Sequence, residues 1–103
     1  MRARFSWGKE PNIRDKVLRL SVIIPCYNEM ATLQRCIAKV ISIARDDLAV
    51  EVIVVDDCST DSSLSIANRL ASQHQGIRVL QHSKNLGKGA AIKSGLADIV
   101  ASE

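Results

Sequence analysis

Apolar residues along this chain form short unbroken runs that alternate with longer stretches in which they recur every three or four positions. Unbroken runs are typical of strands buried on both faces, and the wider spacing is typical of amphipathic helices. The runs predict three strands, at residues 20–25, 50–57 and 77–81. The spaced stretches predict three helices. The first covers 31–44, the second runs from the capping residues 59–63 to near Gly76, and the third covers 90–101.

The alternation of strands and helices predicts an α/β fold. Strands that follow one another through helices lie parallel and are joined by right-handed crossovers. We therefore expect a three-layer, Rossmann-like βαβαβα unit with a parallel sheet in the strand order 3-2-1. Open sheets of this kind bind ligands beyond the carboxyl ends of their strands, so the residues that follow each strand are the candidate site.

Composition narrows the class of protein. The 103 residues, 47% hydrophobic and 24% charged, are typical of at most one globular domain, and with 3% aromatics the core must consist of aliphatic residues. No apolar run approaches the roughly 20 residues that span a bilayer. The three cysteines lack metal-site spacing, so we expect free thiols, in preference to a Cys26–Cys58 disulfide, and a cytoplasmic location.

The net charge of +3 is unevenly distributed. Residues 1–19 contain six basic and two acidic residues, whereas the chain from Leu20 onward contains eight basic and nine acidic ones. The charge thus divides the chain into a basic N-terminal arm, 1–19, and a domain, 20–103. Such an arm suits an anionic membrane surface or nucleic acid, and the simpler interpretation is a solvated tail. Contact of the arm with the surface of the cytoplasmic membrane is the alternative to a solvated tail, and we expect no nucleic-acid partner.

The first predicted strand ends in the segment P-C-Y-N-E at 25–29. Pro25 ends the strand because it has no N–H to donate, Tyr27 offers a planar face, and Asn28 and Glu29 offer short polar groups. The segment suits the wall of a nucleoside pocket. The alternative is a turn in which Asn28 or Glu29 only caps the next helix.

Two carboxylates, Asp56 and Asp57, follow the second predicted strand. Carboxylates there can accept hydrogen bonds from a base or ribose, bind a divalent cation or take a phosphoryl group, and one of them can cap the next helix. Paired carboxylates raise each other's pKa, so placing two together costs stability unless a ligand, a metal or a basic neighbour compensates. The pair therefore favours a functional role. A phosphoacceptor, receiver-like domain would also need an acceptor aspartate after a third strand and a lysine after a fifth, and neither is present.

The third predicted strand leads into the segment N-L-G-K-G-A-A at 85–91. Its glycines permit tight turns, the following helix N-terminus offers free N–H groups, and Lys88 can reach an anion, which suits a pyrophosphate. The alternative is a glycine-rich helix start with a solvated lysine. The spacing does not match a Walker A loop, and the turn after the first strand lacks the G-x-G-x-x-G of dinucleotide-binding folds.

Together the three segments resemble glycosyltransferase family 2, which has the GT-A type fold, and most closely its polyprenyl-phosphate (dolichyl-phosphate mannosyl and glucosyl) transferase branch. The resemblance covers residues 20–97, through S-V-I-I-P-C-Y-N-E at 21–29, V-I-V-V-D-D-C-S-T-D-S-S at 52–63 and N-L-G-K-G-A-A-I-K-S-G at 85–95. It differs at Cys58, where the family usually has glycine. It implies transfer of a sugar from a UDP- or GDP-sugar, with a polyprenyl phosphate as acceptor.

The resemblance also assigns residue roles. Asp57 would contact the base, Asp56 the base or ribose, and Lys88 would lie near the ribose or phosphates. The residues that it places around the nucleotide are Pro25, Tyr27, Asn28, Glu29, Asp56, Asp57 and Lys88.

The sequence lacks two parts of the family's catalytic apparatus. Family members bind Mg²⁺ or Mn²⁺ through a D-x-D-like motif after a further strand, and inverting members have a general base later still. Neither is found before Glu103, and the nearby Asp98 and Glu103 lie in a predicted helical stretch. We therefore predict no catalytic or metal-ligating residue here, but a nucleotide-binding portion that is inactive alone. The alternative is a non-catalytic module that binds nucleotide or self-associates through an exposed sheet edge.

Overall fold

The computed structural model describes residues 17–102, so most of the predicted basic arm lies outside the described residues. The strands are β1 (Leu18–Cys26), β2 (Leu48–Asp56) and β3 (Ile77–Gln81). The helices are α1 (Leu33–Ile41), α2 (Ser63–Gln73) and α3 (Lys88–Ala101). Their order is the predicted one. Within 17–102, no helix combines the length and apolar character needed to cross a membrane.

The strands form a parallel sheet with β2 between β1 and β3. This confirms the predicted fold class and strand order. The register pairs Cys26 with Asp56 and Asp56 with Gln81, so the three strands end level with one another. The loops that leave them, at 27–32, 57–62 and 82–87, are called here the three exit loops.

Helices cover both faces of the sheet, which gives the three predicted layers. Alternate strand residues face opposite sides. The face covered by α1 and α2 holds the larger core, with the buried residues Cys26, Leu33, Ile37, Val52, Val54, Ala67, Leu70 and Ile77. Beneath α3, Ile53 and Val55 pack against Ala91 in a smaller core. These aliphatic cores hold the exit loops on a rigid base.

Helix α3 crosses β1 closely. A Cβ atom on Gly95 would lie 2.7 Å from Cγ2 of Ile23, nearer than two carbon atoms can approach. At the other end of the strands, the guanidinium of Arg78 donates hydrogen bonds to Asp98 of α3 (2.7 and 2.9 Å) and to Glu51 of β2 (2.8 Å). Both contacts fix the position of α3 on the sheet.

Several boundaries differ from the predicted ones. β1 and β2 each begin two residues earlier than expected, because Leu18 pairs with Leu48. Helix α1 is shorter at both ends because turns flank it. Helix α3 begins at Lys88 instead of Ala90, because Gly87, at a φ of 97°, turns the chain directly into the helix.

Candidate functional site

The first two exit loops are joined by the side chain of Asn28. This residue has a φ of 53°, a left-handed conformation that asparagine tolerates better than most residues. Its Oδ1 accepts hydrogen bonds from the backbone N–H groups of Thr60 (2.8 Å) and Asp61 (3.3 Å). Its own N–H donates to Oγ of Ser59 (3.0 Å). Asn28 therefore bridges two loops instead of capping its own helix.

Two further bonds tie the first exit loop to the second exit loop and to the start of α2. The N–H of Glu29 donates to Oγ of the buried Ser63 (2.8 Å), and the N–H of Met30 donates to Oδ2 of Asp61 (3.3 Å). Hydrogen bonds from Ser63 lower the pKa of Asp61, so this carboxylate stays charged at neutral pH. Loops with this many cross-links form a preorganised surface.

Asp56 turns the chain at the end of β2. It is 1% exposed, and its two oxygens accept hydrogen bonds from the hydroxyl (2.6 Å) and the N–H (3.1 Å) of Ser59. Two residues after Asp56, Cys58 has a φ of 63°, which explains why a glycine suits this position. In this structure Asp56 therefore shapes the second exit loop.

Asp57 joins the second exit loop to the third. Its Oδ1 accepts hydrogen bonds from the N–H of Leu86 and from Nδ1 of His82, and its Oδ2 accepts one from the N–H of Gly87, all at 2.8 Å. The Leu86 N–H, followed by His82, lowers the pKa of Asp57. A carboxylate has about four acceptor positions, so one on Oδ2 is not used by these three bonds.

His82 and Ser94 complete this cluster, and sequence reasoning assigned them no role. Nε2 of His82 lies 2.8 Å from the hydroxyl of Ser94, which belongs to α3. The β2–β3 register explains the position of His82. Because Asp56 pairs with Gln81, the residues that follow them, Asp57 and His82, leave neighbouring strands side by side. Ser94 lies twelve residues after His82, and its contact with the ring depends on how α3 packs on the sheet.

The predicted site residues differ in accessibility. Asp56 and Asp57 are buried, and Pro25 is half-buried. Tyr27 is 45% exposed, and Asn28, Glu29 and Lys88 are also exposed. The structure thus brings all seven to one end of the sheet, with the carboxylates underneath and the aromatic ring and the ammonium group on the surface.

Lys88 is the first residue of α3. The first N–H groups of a helix have no acceptor inside the helix, and the cap at Gly87 has no side chain to supply one. Together with the lysine ammonium group, these N–H groups favour an anion such as a phosphate.

The described residues do not fit a metal site. Within 17–102, no three His, Cys, Asp or Glu side chains converge as metal ligands would. Asp98 binds Arg78 instead, and Glu103 lies outside the described residues. The divalent cation expected for the family therefore finds no ligand set in this part of the chain.

An open α/β sheet whose polar residues gather beyond the strand ends belongs to the folds that bind ligands at that edge. Within this class, the chain belongs to glycosyl transferase family 2, whose family model matches residues 21–99. This confirms the family resemblance seen in the sequence.

Individual relatives agree with this assignment. The chain is 37% identical over 95 residues to a dolichyl-phosphate beta-glucosyltransferase of Drosophila melanogaster, covering 84% of this chain and 29% of the relative. It is 29% identical over 92 residues to the enzyme of the same name from Saccharomyces cerevisiae, covering 82% of this chain and 28% of the relative. The chain therefore spans less than a third of these relatives' length.

Solved structures also resemble it. A mannosyltransferase from Pyrobaculum calidifontis, in complex with GDP-Man and Mn²⁺, superposes with a TM-score of 0.68 and 28% identity, covering 92% of this chain and 28% of that one. TarS residues 1–349 of S. aureus superpose with a TM-score of 0.61 and 31% identity, covering 78% of this chain and 24% of that one. The fold is thus part of a GT-A fold.

Proposed function

We propose that this chain binds the nucleoside diphosphate portion of a UDP- or GDP-sugar at the three exit loops, as the donor-binding part of a glycosyltransferase. The observation that carries the proposal is the hydrogen-bonded assembly of these loops, which presents Tyr27 and Lys88 on one surface above Asp57. Family membership and the GDP-Man complex of the Pyrobaculum calidifontis relative support it.

Each exposed group has a physical role in this proposal. The ring of Tyr27 stacks on the base, and base–aromatic stacking contributes about 1–3 kcal/mol. The open acceptor position on Asp57 takes a hydrogen bond from the base. Lys88 and the N-terminus of α3 bind the phosphates, since charge and free N–H groups coincide there.

The wider activity is also a proposal. The dolichyl-phosphate enzymes among the relatives support a polyprenyl phosphate as acceptor, and we place the chain in the cytoplasm with its basic N-terminal arm against the membrane surface. Transfer needs charge stabilisation on the departing diphosphate, which a divalent cation provides in many enzymes. The described residues hold no ligand set for that cation, and we propose for them the donor-binding part of the reaction.

Calorimetric titration with UDP and GDP tests nucleotide binding. We expect one of the two to bind, and Lys88→Met to weaken it about tenfold, because a charge-assisted hydrogen bond contributes roughly 1.5–3 kcal/mol. Lys93→Met is the matched control, because Lys93 is an exposed lysine of the same helix five residues further on. An absence of binding up to millimolar concentration by the folded chain contradicts the proposal, as does an equal loss in both variants.

A second candidate function is self-association of this chain through β1. Among residues 17–102, β1 is paired with a strand along one edge only, and unpaired edges are templates for another strand. The first residues of β1 are apolar and open, with Leu18 47% and Leu20 39% exposed. The partner that fits is the same edge of a second copy, because a two-fold axis can pair β1 with itself.

Light scattering over a concentration series tests self-association. We expect the mass to rise towards that of a dimer, and Leu20→Lys to return it to that of a monomer, since a charge opposes pairing at the edge. Ile43→Lys is the control, because Ile43 is similarly exposed but lies outside the sheet. A monomer at every concentration, or an equal effect of both variants, counts against this function.

A further inference from the structure

His82 occupies a largely buried position between the end of β2 and α3. It follows the last residue of β3, and its side chain is 10% exposed. Both ring nitrogens are engaged, Nδ1 with Asp57 and Nε2 with the hydroxyl of Ser94, each at 2.8 Å. A buried histidine with two such partners has a fixed ring orientation, so it can fix the orientation of the carboxylate beside it.

These two bonds persist in either protonation state of His82. The Asp57 carboxylate only accepts, so Nδ1 carries a proton and donates to it. When the ring is neutral, Nε2 accepts from the Ser94 hydroxyl, and when the ring is protonated, Nε2 donates to the same oxygen after the hydroxyl rotates. The cluster therefore needs no particular charge on His82 to hold Asp57.

The effect of His82 reaches the third exit loop through Asp57. Its carboxylate accepts from the N–H groups of Leu86 and Gly87, the last two residues before α3. A continuous set of hydrogen bonds thus runs from Ser94 through His82 and Asp57 to the start of the helix that carries Lys88. A carboxylate free to rotate would hold these N–H groups less well.

The order Ser94, His82, Asp57 also resembles the hydrogen-bonded side chains of a serine hydrolase. Such an enzyme needs N–H donors beside the hydroxyl to stabilise an oxyanion. Ser94 lies inside α3, where backbone N–H groups are bonded within the helix. The geometry therefore favours a positioning role over nucleophilic catalysis.

We propose that His82 is a positioning residue, which orients Asp57 and thereby holds the Leu86–Gly87 backbone and the N-terminus of α3 in place for the diphosphate of the ligand. The inference rests on the proposed nucleotide-binding function. It predicts that His82 affects binding of the diphosphate more than binding of the nucleoside.

The test compares variants of the full chain. His82→Leu replaces the ring with an apolar side chain of similar size and removes both hydrogen bonds, and His82→Asn retains an N–H near the position of Nδ1. His74→Leu, in the exposed residue that follows α2, is the matched control. Calorimetry with UDP, GDP, uridine and guanosine gives the affinities, and amide hydrogen exchange at Leu86 and Gly87 reports on the loop without any ligand.

We expect His82→Leu to weaken diphosphate binding about tenfold, by analogy with the loss of metal affinity when a residue that orients a metal ligand is removed. We expect nucleoside affinity to change less than about threefold, because the nucleoside does not contact the loop that His82 holds. His82→Asn restores most of the affinity, and His82→Leu alone accelerates exchange at Leu86 and Gly87. Three outcomes overturn the positioning role of His82. They are an unchanged diphosphate affinity in His82→Leu, equal losses for diphosphate and nucleoside, and failure of His82→Asn to restore binding.

The nucleotide-binding function and the positioning role of His82 can fail separately. If the unmodified chain binds neither nucleotide, the proposed function fails for this chain, and the role of His82 in binding fails with it. Amide exchange then still decides whether His82 holds the loop: unchanged exchange in His82→Leu overturns that part as well. If the unmodified chain binds and only the His82 variants behave unexpectedly, the positioning role alone is wrong.

Discussion

Asp57 accepts more hydrogen bonds than its neighbour Asp56 and joins two exit loops. Its three donors, the N–H groups of Leu86 and Gly87 and the ring of His82, all come from the part of the chain that follows β3. A buried carboxylate with this environment favours its charged form. The same residue that we expect to contact a base is thus also a structural link, and the pH dependence of stability tests the structural role.

We predict a pH-dependent effect of Asp57→Asn on stability. Since the folded-state pKa of Asp57 lies below that of the unfolded chain, near 3.9, the carboxylate stabilises the fold above that pH. The contribution is lost as the pH falls through the folded-state pKa. The variant should therefore be less stable than the unmodified chain near neutrality, and the difference should shrink in acid. Urea denaturation at several pH values measures it, and a difference independent of pH contradicts the account.

Residue types were easier to predict than residue roles. The aspartates and Lys88 were identified because carboxylates and a lysine at strand ends are unusual without a purpose. The sequence alone could not show that the oxygens of Asp56 accept hydrogen bonds from Ser59, or that Asn28 accepts one from Thr60. These bonds depend on the paths of the first two exit loops. The ligand contacts of the seven predicted residues stay predictions.

At the scale of elements, the close approach of α3 to β1 decides how the third exit loop sits. The contact depends on Gly95, which is buried and faces the side chain of Ile23. Packing at this density leaves no room for an added methyl group, so the helix would have to move away from the sheet.

We predict opposite effects for two glycine substitutions in α3. Gly95→Ala should lower the free energy of unfolding by about 1–3 kcal/mol, as overpacking does. Gly89→Ala should raise it by about 0.5 kcal/mol, because a Cβ there meets no atom within 4 Å and alanine reduces the freedom of the unfolded chain. Urea denaturation of both variants measures the difference. Equal effects of the two would mean that α3 does not pack closely on β1.

The elements themselves were largely predictable. Their order and type followed from apolar spacing, and the bounds of β3 were predicted without error. The early starts of β1 and β2 were missed because Leu18 and Leu48 form strand by pairing with each other, which local spacing does not show. The start of α3 was missed because the positive φ of Gly87 is a property of the folded loop.

At the scale of the whole molecule, three parallel strands that end level with one another bring the predicted groups together. This convergence was predictable, because parallel order alone places all strand ends on one side. The cross-links through Asn28, Asp57 and His82 were not, since they require the register and the position of α3. A separate groove between α1 and α2, lined by residues including Gln34, Ile37, Leu70 and His74, contains none of the predicted site residues.

The central claim is that the exit loops bind a nucleoside diphosphate, and amide chemical-shift mapping of the labelled chain tests its location most directly. On addition of UDP or GDP, the account predicts that shift changes concentrate in residues 27–30, 57–60 and 86–90. The amides around the groove between α1 and α2 should stay nearly constant. Saturable shifts confined to that groove, or no saturable shifts anywhere in the folded chain, would contradict the claim.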